Sequence, residues 1–484
     1  MAFNYALQWE SPRLKYYWHH NFVHEVYRKH LVEKITGQQE RKILVDCREN
    51  FYSFYLDIKE IEEIGYKYIS FFLNEKKFIN WLNKCQEENI NACEEPWLIP
   101  SSYEKQELFS LLKGLEKKFH YSVALHLVSQ PHITSFLEHE LRVLMKHIDS
   151  QLSGELLSEV TLPLKLPEIL FEQFEWYTLL LLVERKNLSE KKRIVLFQQH
   201  LDKWRFITAG DSRKPMTLEY LIKRSGLDMG DYTQIKKQYT HLLEIKDGSF
   251  ARRVAYLENK YLSKESQRFA FIIREISYIR FITKSTWMKL WFLIDQVIKR
   301  LENILEMPLE DFTSSEMEDI NNLTENLIWN DRKTYLYISG DEGPLLYYNG
   351  TDKMIRSQIF EEIDFGSIEY LQGSIGYKGT VHGRVVCIGW NDDVTKKLAM
   401  VTEDTILVVP QTTPAYVGAL VKVRGLVVDE AGITGHASII SRELRLPSII
   451  GTRIATKVFH DGDNIIIDGD KCIVKKIIEE TKNE

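Results

Sequence analysis

One histidine in this chain sits where it could do chemistry. In VVDEAGITGHASIISRELRLPSIIGT, residues Val427–Thr452, His436 follows a Gly/Thr-containing turn and opens a run with helical spacing. An imidazole near neutrality can bind a metal, move a proton or act as a nucleophile. GLVVDE reads as a buried strand and AGITG as a turn. HASIISRELR then reads as a helix with Ile439, Ile440 and Leu444 inward, Pro447 ends it, and SIIGT starts another strand. His436 is therefore expected in the first turn of a helix, where free N–H groups and the positive dipole end favour an anion. Thr434 could hydrogen-bond the ring and orient it. Arg442, six residues on and slightly under two turns away, is a further candidate for phosphate support. From this stretch alone a capping histidine, a metal ligand and a nucleophile all stay open. The metal reading is the weakest, because no second His, Cys or carboxylate sits at i+3 or i+4, and Glu443 is seven residues away.

The elements around it divide the chain in two. Sixteen of the 24 glycines lie from Gly340 onward, and nine of the ten tryptophans lie before it. Glycine-poor, aromatic-rich sequence suits packed helices, and glycine-dense sequence suits turns between short strands. EKQELFSLLKGLEKKF places Leu108, Leu111, Leu112 and Leu115 three and four apart, and SQRFAFIIREISYIRFITKSTWMKLWFLIDQVIKRLENIL holds no Gly or Pro. That run predicts one or two long helices buried on one side. KTYLYISGDEGPLLYYNG reads as a hairpin, and TDKMIRSQIFEEIDFGSIEYLQG as a helix followed by a linker. The predicted architecture is multi-domain α+β. A large, mainly helical region spans 1–330, a hairpin and linker 331–372, and a compact β/β/α domain 373–484.

The 484 residues carry a formal charge of −6, with 44% hydrophobic and 27% charged residues. Nothing here favours nucleic-acid or membrane binding. WYTLLLLV, the most apolar run, is far too short to span a bilayer. The five cysteines form no CxxC pair, so a reducing, cytoplasmic setting is expected.

The segment AGITGHASIISRELRLPSIIGT resembles the phosphohistidine motif of the swivelling mobile domain of phosphoenolpyruvate synthase, pyruvate phosphate dikinase and rifampin phosphotransferase. GSIGYKGTVHGRVVCI, DTILVVPQTTPAYVGAL and HDGDNIIIDGDKCIV are similar to that domain's Gly-rich opening, its strand, turn and helix, and its closing strands. One position departs: Ala431 precedes Gly432 where the family usually has two glycines. The resemblance implies that His436 is the nucleophile, oriented by Thr434 in a loop shaped by Gly432 and Gly435. A phosphoryl group would be taken up at one site and delivered at another, as the domain swings on EEIDFGSIEYLQGS with Gly366 and Gly373 as hinges.

Family members also carry an ATP-grasp domain. The first 340 residues show no Gly-rich phosphate loop and no GxxxxGK[ST]. A separate ATP-grasp protein is therefore the expected partner, with ATP and Mg²⁺ at its site and no cofactor or metal held tightly by this chain. The helical region would bind a small-molecule acceptor such as pyruvate, an antibiotic-like hydroxyl compound or a biosynthetic intermediate. Arg268, Arg274 and Arg280 are the cations that could line its pocket. Two other functions compete: a phosphohistidine carrier or regulator with no acceptor site of its own, and a non-catalytic interaction protein.

Overall fold

The structure, a computed structural model, describes residues 5–12, 26–27, 29–39, 42–48, 51–94, 99–148, 152, 156–157, 159–208, 215–229, 232–306, 334–339, 345–348, 350–359, 365–389, 392, 394–412, 416–420, 422–430 and 436–477. The first part of the chain contains β1 (Tyr5–Pro12), α1 (Leu31–Thr36), β2 (Ile43–Cys47), β3 (Phe51–Asp57), α2 (Ile58–Leu73), α3 (Glu75–Glu94), α4 (Lys105–Leu127), α5 (Pro131–Leu144), α6 (Glu168–Arg185) and α7 (Glu190–Trp204). It goes on through α8 (Leu218–Met229), α9 (Tyr232–Lys246), α10 (Ser249–Tyr261), α11 (Lys264–Leu305), β4 (Tyr335–Ile338), β5 (Leu345–Tyr348) and α12 (Thr351–Ile359). The last part contains β6 (Tyr370–Gln372), β7 (Ser374–Tyr377), β8 (Thr380–Cys387), α13 (Val394–Leu398), β9 (Thr405–Val409), α14 (Val417–Leu420), β10 (Gly425–Val428), α15 (His436–Leu444), β11 (Ser448–Ile450), α16 (Ala455–Val458), β12 (Asn464–Asp468) and β13 (Ile473–Lys476). The chain is mixed α+β, with a large helical region and a C-terminal sheet. No helix among the described residues is long and apolar enough to cross a membrane.

The Gly/Pro-free run forms one helix. α11 has 42 residues, which at 1.5 Å per residue is about 63 Å. Ser263 caps its start by accepting from the Ser266 N–H at 3.1 Å, and Glu306, in the left-handed region, ends it. Met288 through Ile294 are buried without a break, so this part of the helix is enclosed on all sides rather than on one. Lys289 is buried within it because Glu168 Oε1 at 2.7 Å and Asn89 Oδ1 at 3.2 Å accept from its ammonium.

The first 330 residues are not helices alone. β1, β3, β2, β4 and β5 make an antiparallel sheet in that order. The hairpin expected in 331–372 is there as β4–β5, but it is the outer pair of this N-terminal sheet. α12 is tied down as well: Arg356 donates from Nε to Asp46 Oδ1 at 2.6 Å, from Nη2 to the Cys47 carbonyl at 2.9 Å, and from Nη1 to Asp352. Both carboxylates are buried. Residues 335–359 thus belong with 5–57, because only pairing satisfies the hairpin's backbone and the two buried acids.

The C-terminal sheet has the order β6-β13-β12-β8-β9-β10-β11-β7. β8, β9, β10 and β11 are parallel to their neighbours within that run, and the outer pairs are antiparallel. β9 and β10 are apolar throughout because both faces are covered. Leu407, Val409, Leu426, Val428 and Ile450 face one core, shared with Leu420, Ala437 and Ile440 of the helices. Ile406, Val408, Val427 and Ile449 face another, shared with Phe459, Ile465 and Val474.

β6 and β7 lie at opposite ends of this sheet yet are separated only by Gly373, so the sheet curls until its two ends meet there. A Cβ on Gly373 would stand 2.6 Å from both Ile449 Cγ2 and the Ile450 carbonyl oxygen, and the Gly373 N–H donates to the Cys472 carbonyl at 3.0 Å. Gly373 is therefore a fixed point inside the sheet, not a hinge. Gly366 lies in a 3₁₀ turn, Phe365–Ser367, whose Phe365, like nearby Ile368, packs on the C-terminal core. It moves with that domain rather than between domains. The domain's sheet begins at Tyr370, three residues before the expected boundary.

Candidate functional site

α15 begins at His436, as its sequence predicts, and it lies against β7 and β11. Ala437 and Ile440 pack into the core beneath it, and Leu444 packs at its edge. Ser441 turns its hydroxyl back to the Ala437 carbonyl at 2.7 Å. Arg445 adopts a left-handed conformation, φ 50°, and Pro447 follows, which stops the helix. The side chains of His436 and Ile439 lie outside the described residues, as do Gly432, Thr434 and Gly435.

The strand that leads toward His436 is firmly held. Asp429 accepts from the Thr452 hydroxyl at 2.9 Å, from the Thr456 N–H at 3.2 Å, and from the Thr456 hydroxyl and the Ala455 N–H. Burial pushes its carboxyl above the ordinary range, against these hydrogen bonds, which pull it down. The Glu430 N–H donates to the Pro410 carbonyl at 2.9 Å, and its carbonyl accepts from the Gly451 N–H at 2.9 Å. The backbone on both sides of residues 431–435 is thus fixed.

On the helical side a group of polar residues gathers where α4 turns into α5. Gln130 is the N-cap of α5 and Pro131 its first residue. The buried Ser129 offers its carbonyl to Arg280, which donates from Nε at 3.0 Å and also from Nη2. Arg280 Nη2 reaches Thr134 Oγ1 at 3.3 Å. The Thr283 hydroxyl donates to the Ile279 carbonyl at 2.9 Å, so its oxygen is left to accept from His126 Nδ1–H at 2.8 Å. His126 Nε2 then accepts from the Gln130 amide at 2.7 Å. Burial, then Arg280 and Lys284, push this imidazole down to about 3, so it is neutral at physiological pH. Its ring meets that of Trp287 edge-on at 5.9 Å.

Two arginines, one in each region, are desolvated. Arg280 is pushed down to about 10 by burial, while Glu138 of α5 and Glu430 of the C-terminal domain act in the opposite direction. Arg442 is likewise pushed down to about 10 by burial, with Glu138 opposing and Arg142 reinforcing the shift. Both stay cationic at neutral pH, and both are desolvated cations of the kind that hold phosphate. Glu430 precedes His436 by six residues and Arg442 follows it by six. Glu430 and Arg442 thus flank His436 in sequence, each carrying a charge.

The three arginines singled out on α11 do not converge. A spacing of six residues steps each about 240° around a helix from the one before. Arg268 donates to the Leu73 carbonyl. Arg274 is buried against the Val160 carbonyl at 3.0 Å and Glu258 Oε1 at 2.8 Å, a structural pairing. Only Arg280 belongs to the polar group around Ser129. His126 was missed from sequence, since it is an isolated residue outside any motif. Among the described residues no group of three or more His, Cys, Asp or Glu could hold a metal ion.

Residues 401–472 match the family described as PEP-utilising enzyme, mobile domain. The chain is 37% identical over 141 residues to a probable phosphoenolpyruvate synthase of Archaeoglobus fulgidus, covering 29% of this chain and 18% of that protein. It is 37% identical over 116 residues to phosphoenolpyruvate synthase of Pyrococcus furiosus, covering 24% and 14%. It is 41% identical over 64 residues to an uncharacterised phosphotransferase of Bacillus subtilis, covering 13% and 8%. The chain thus spans less than a fifth of the length of these relatives.

Proposed function

We propose, taking the membership of residues 401–472 in the PEP-utilising mobile-domain family as the premise, that this chain is a phosphotransferase component that carries a phosphoryl group on His436. A ring nitrogen of His436 attacks the donor phosphorus. The N–P bond forms, and the P–O bond to the donor breaks with its electron pair leaving on the donor oxygen. In delivery an acceptor oxygen attacks the same phosphorus, the N–P bond breaks with its pair returning to the ring nitrogen, and the proton of the acceptor hydroxyl passes to solvent. Thr434, Gly432 and Gly435 would shape the loop. A separate ATP-grasp protein would bring ATP and Mg²⁺, and the helical region would hold the acceptor.

The observation that carries this reading is the match of residues 401–472 to the mobile-domain family, with His436 at the start of α15 inside the matched stretch. Arg280 and Arg442 supply desolvated positive charge for a phosphoryl group in transit. The neutral His126, held by Thr283 and Gln130, adds no charge of its own to the site.

The test is charging of His436. The chain is incubated with labelled ATP, Mg²⁺ and an ATP-grasp partner, and in parallel with phosphoramidate, a small-molecule phosphoryl donor to histidine. One acid-labile, alkali-stable phosphate per chain is expected, absent in His436→Ala. Label that persists in the variant, or none in the wild type under either treatment, rejects the assignment.

A further inference from the structure

Among the described residues, α4 carries a groove of about 440 Å³ along one face, within the roughly 300–1,000 Å³ span of small-molecule sites. Leu111, Gly114 and Leu115 form its floor, and Tyr103, from the turn just before the helix, forms a wall. Glu107 stands at one end, and Lys118 stands about 16 Å further along the helix. None of these residues is among those assigned above to phosphoryl transfer.

The wall is held in place. Arg300, near the end of α11, donates from Nη2 to the Tyr103 carbonyl at 2.9 Å and to the Ser101 carbonyl, and from Nη1 to the Pro100 carbonyl. The Tyr103 N–H donates to the Pro100 carbonyl at 3.1 Å. A turn folded around one guanidinium keeps its shape, so the groove is formed before a ligand arrives. The floor is open for no packing reason. Gly114 lies in the middle of a 23-residue helix, where glycine is unfavourable, yet a Cβ there would meet nothing within 4 Å. What its missing side chain leaves is depth.

The ends give the groove a direction. Glu107 is exposed and is its one carboxylate. The Glu104 N–H donates to Glu107 Oε2 at 2.8 Å in a capping box, which leaves Oε1 to accept from a ligand. Tyr103, at the same end, offers an aromatic face, which attracts cations. With Lys118 at the far end, a ligand that is cationic at one end only has one favourable orientation.

We propose that this groove binds an organic ammonium with an apolar body, the ammonium at Glu107 and Tyr103 and the body along Leu111, Gly114 and Leu115. The site goes beyond the carrier reading and does not depend on it.

The experiment uses the full chain and 4-phenylbutylamine as the probe, with 4-phenyl-1-butanol and 4-phenylbutanoate as neutral and anionic copies of its body. Isothermal titration calorimetry follows binding. The amine should bind about tenfold tighter than either copy, the scale of a hydrogen bond to a charged group. Glu107→Gln keeps an acceptor for the Glu104 N–H and removes the charge, so it should weaken the amine by a similar factor and leave the alcohol unchanged. Gly114→Leu fills the floor with a better helix former, so it should abolish binding of the amine without loss of helix. Should Gly114→Leu fail to fold, by circular dichroism, Gly114→Ala must weaken the amine in the same direction. The proposal is overturned if the amine does not bind, if it binds no tighter than its copies, or if it binds the folded variants as it binds wild type. Absence of phosphate on His436 after phosphoramidate treatment would reject the carrier reading and leave these outcomes untouched.

Discussion

Arg280 of α11 donates from Nε to the carbonyl of Ser129, at the turn between α4 and α5, at 3.0 Å. Arg442 of α15 is anchored in the same way, donating from Nε to the Gly376 carbonyl at 3.3 Å. Both guanidiniums are desolvated and held by backbone carbonyls. Preorganised charge of this kind accelerates transfer because nothing has to reorient when the charge develops.

Arg280 is expected to serve delivery rather than charging. Arg280→Met should leave phosphorylation of His436 by phosphoramidate unchanged and slow transfer to an acceptor by about 10²-fold, the scale for losing one preorganised donor. Arg280→Lys should fall between, because it keeps the charge but loses the guanidinium fork. Single-turnover assays of the two half-reactions check this. Equal slowing of both would place Arg280 elsewhere in the cycle.

The His126 imidazole, held down to about 3 against an ordinary 6.5, makes stability depend on pH. Between those values the unfolded chain binds a proton that the folded chain does not. Stability is therefore complete above 6.5 and falls as pH drops below it, by at most about 1.4 kcal/mol per pH unit. By pH 5 the loss is at most about 2 kcal/mol relative to pH 7. Urea denaturation of wild type and His126→Gln across this window should show a flatter slope in the variant. Parallel slopes would mean that His126 gains its proton without cost.

Arg356 is expected to matter for assembly of the N-terminal sheet. It faces two buried carboxylates, Asp46 and Asp352, and its removal leaves both without their shared cation. Arg356→Met should destabilise that sheet by about 3–5 kcal/mol, the scale for breaking a buried ion pair from one side. Exchange protection in β2 and β4 reports it, and unchanged protection would refute it.

Gly373→Ala should weaken the C-terminal domain by about 1–3 kcal/mol, since a Cβ there has no room between Ile449 and the Ile450 carbonyl. Gly373→Pro should cost more, because it also removes the N–H that donates to Cys472. Thermal unfolding of the full chain checks both. A Pro variant as stable as wild type would restore Gly373 as a hinge.

Local signals in the sequence carried the C-terminal domain well. TILVV and GLVV are short, wholly apolar runs, as strands covered on both faces must be, and the turn, His436, the helical spacing and Pro447 follow in order. The Gly/Pro-free run gave α11 for the same reason. The N-terminal sheet was hidden. YALQWESP alternates poorly and ends in proline, and ILVDC is five residues long. Their status as strands is settled by pairing with a hairpin that lies almost 300 residues further on, and no local pattern encodes that. The hinge residues were misread because glycine marks close packing as readily as freedom, and Gly373 is needed for the first. His126 belongs to no motif. Its role comes from the meeting of α4, α5 and α11, which composition does not reveal.

The curl of the C-terminal sheet has a consequence for how this protein behaves in a crowded solution. A sheet normally ends in two rows of unsatisfied backbone groups, and a domain that lifts off its neighbour would expose them to other chains. Here the terminal strands are three and four residues long and are joined through a single glycine, so the two rims close on each other instead of standing open. Each excursion of such a domain would offer strand-addition partners little to grip. Freedom to move and resistance to aggregation would then come from the same tight corner.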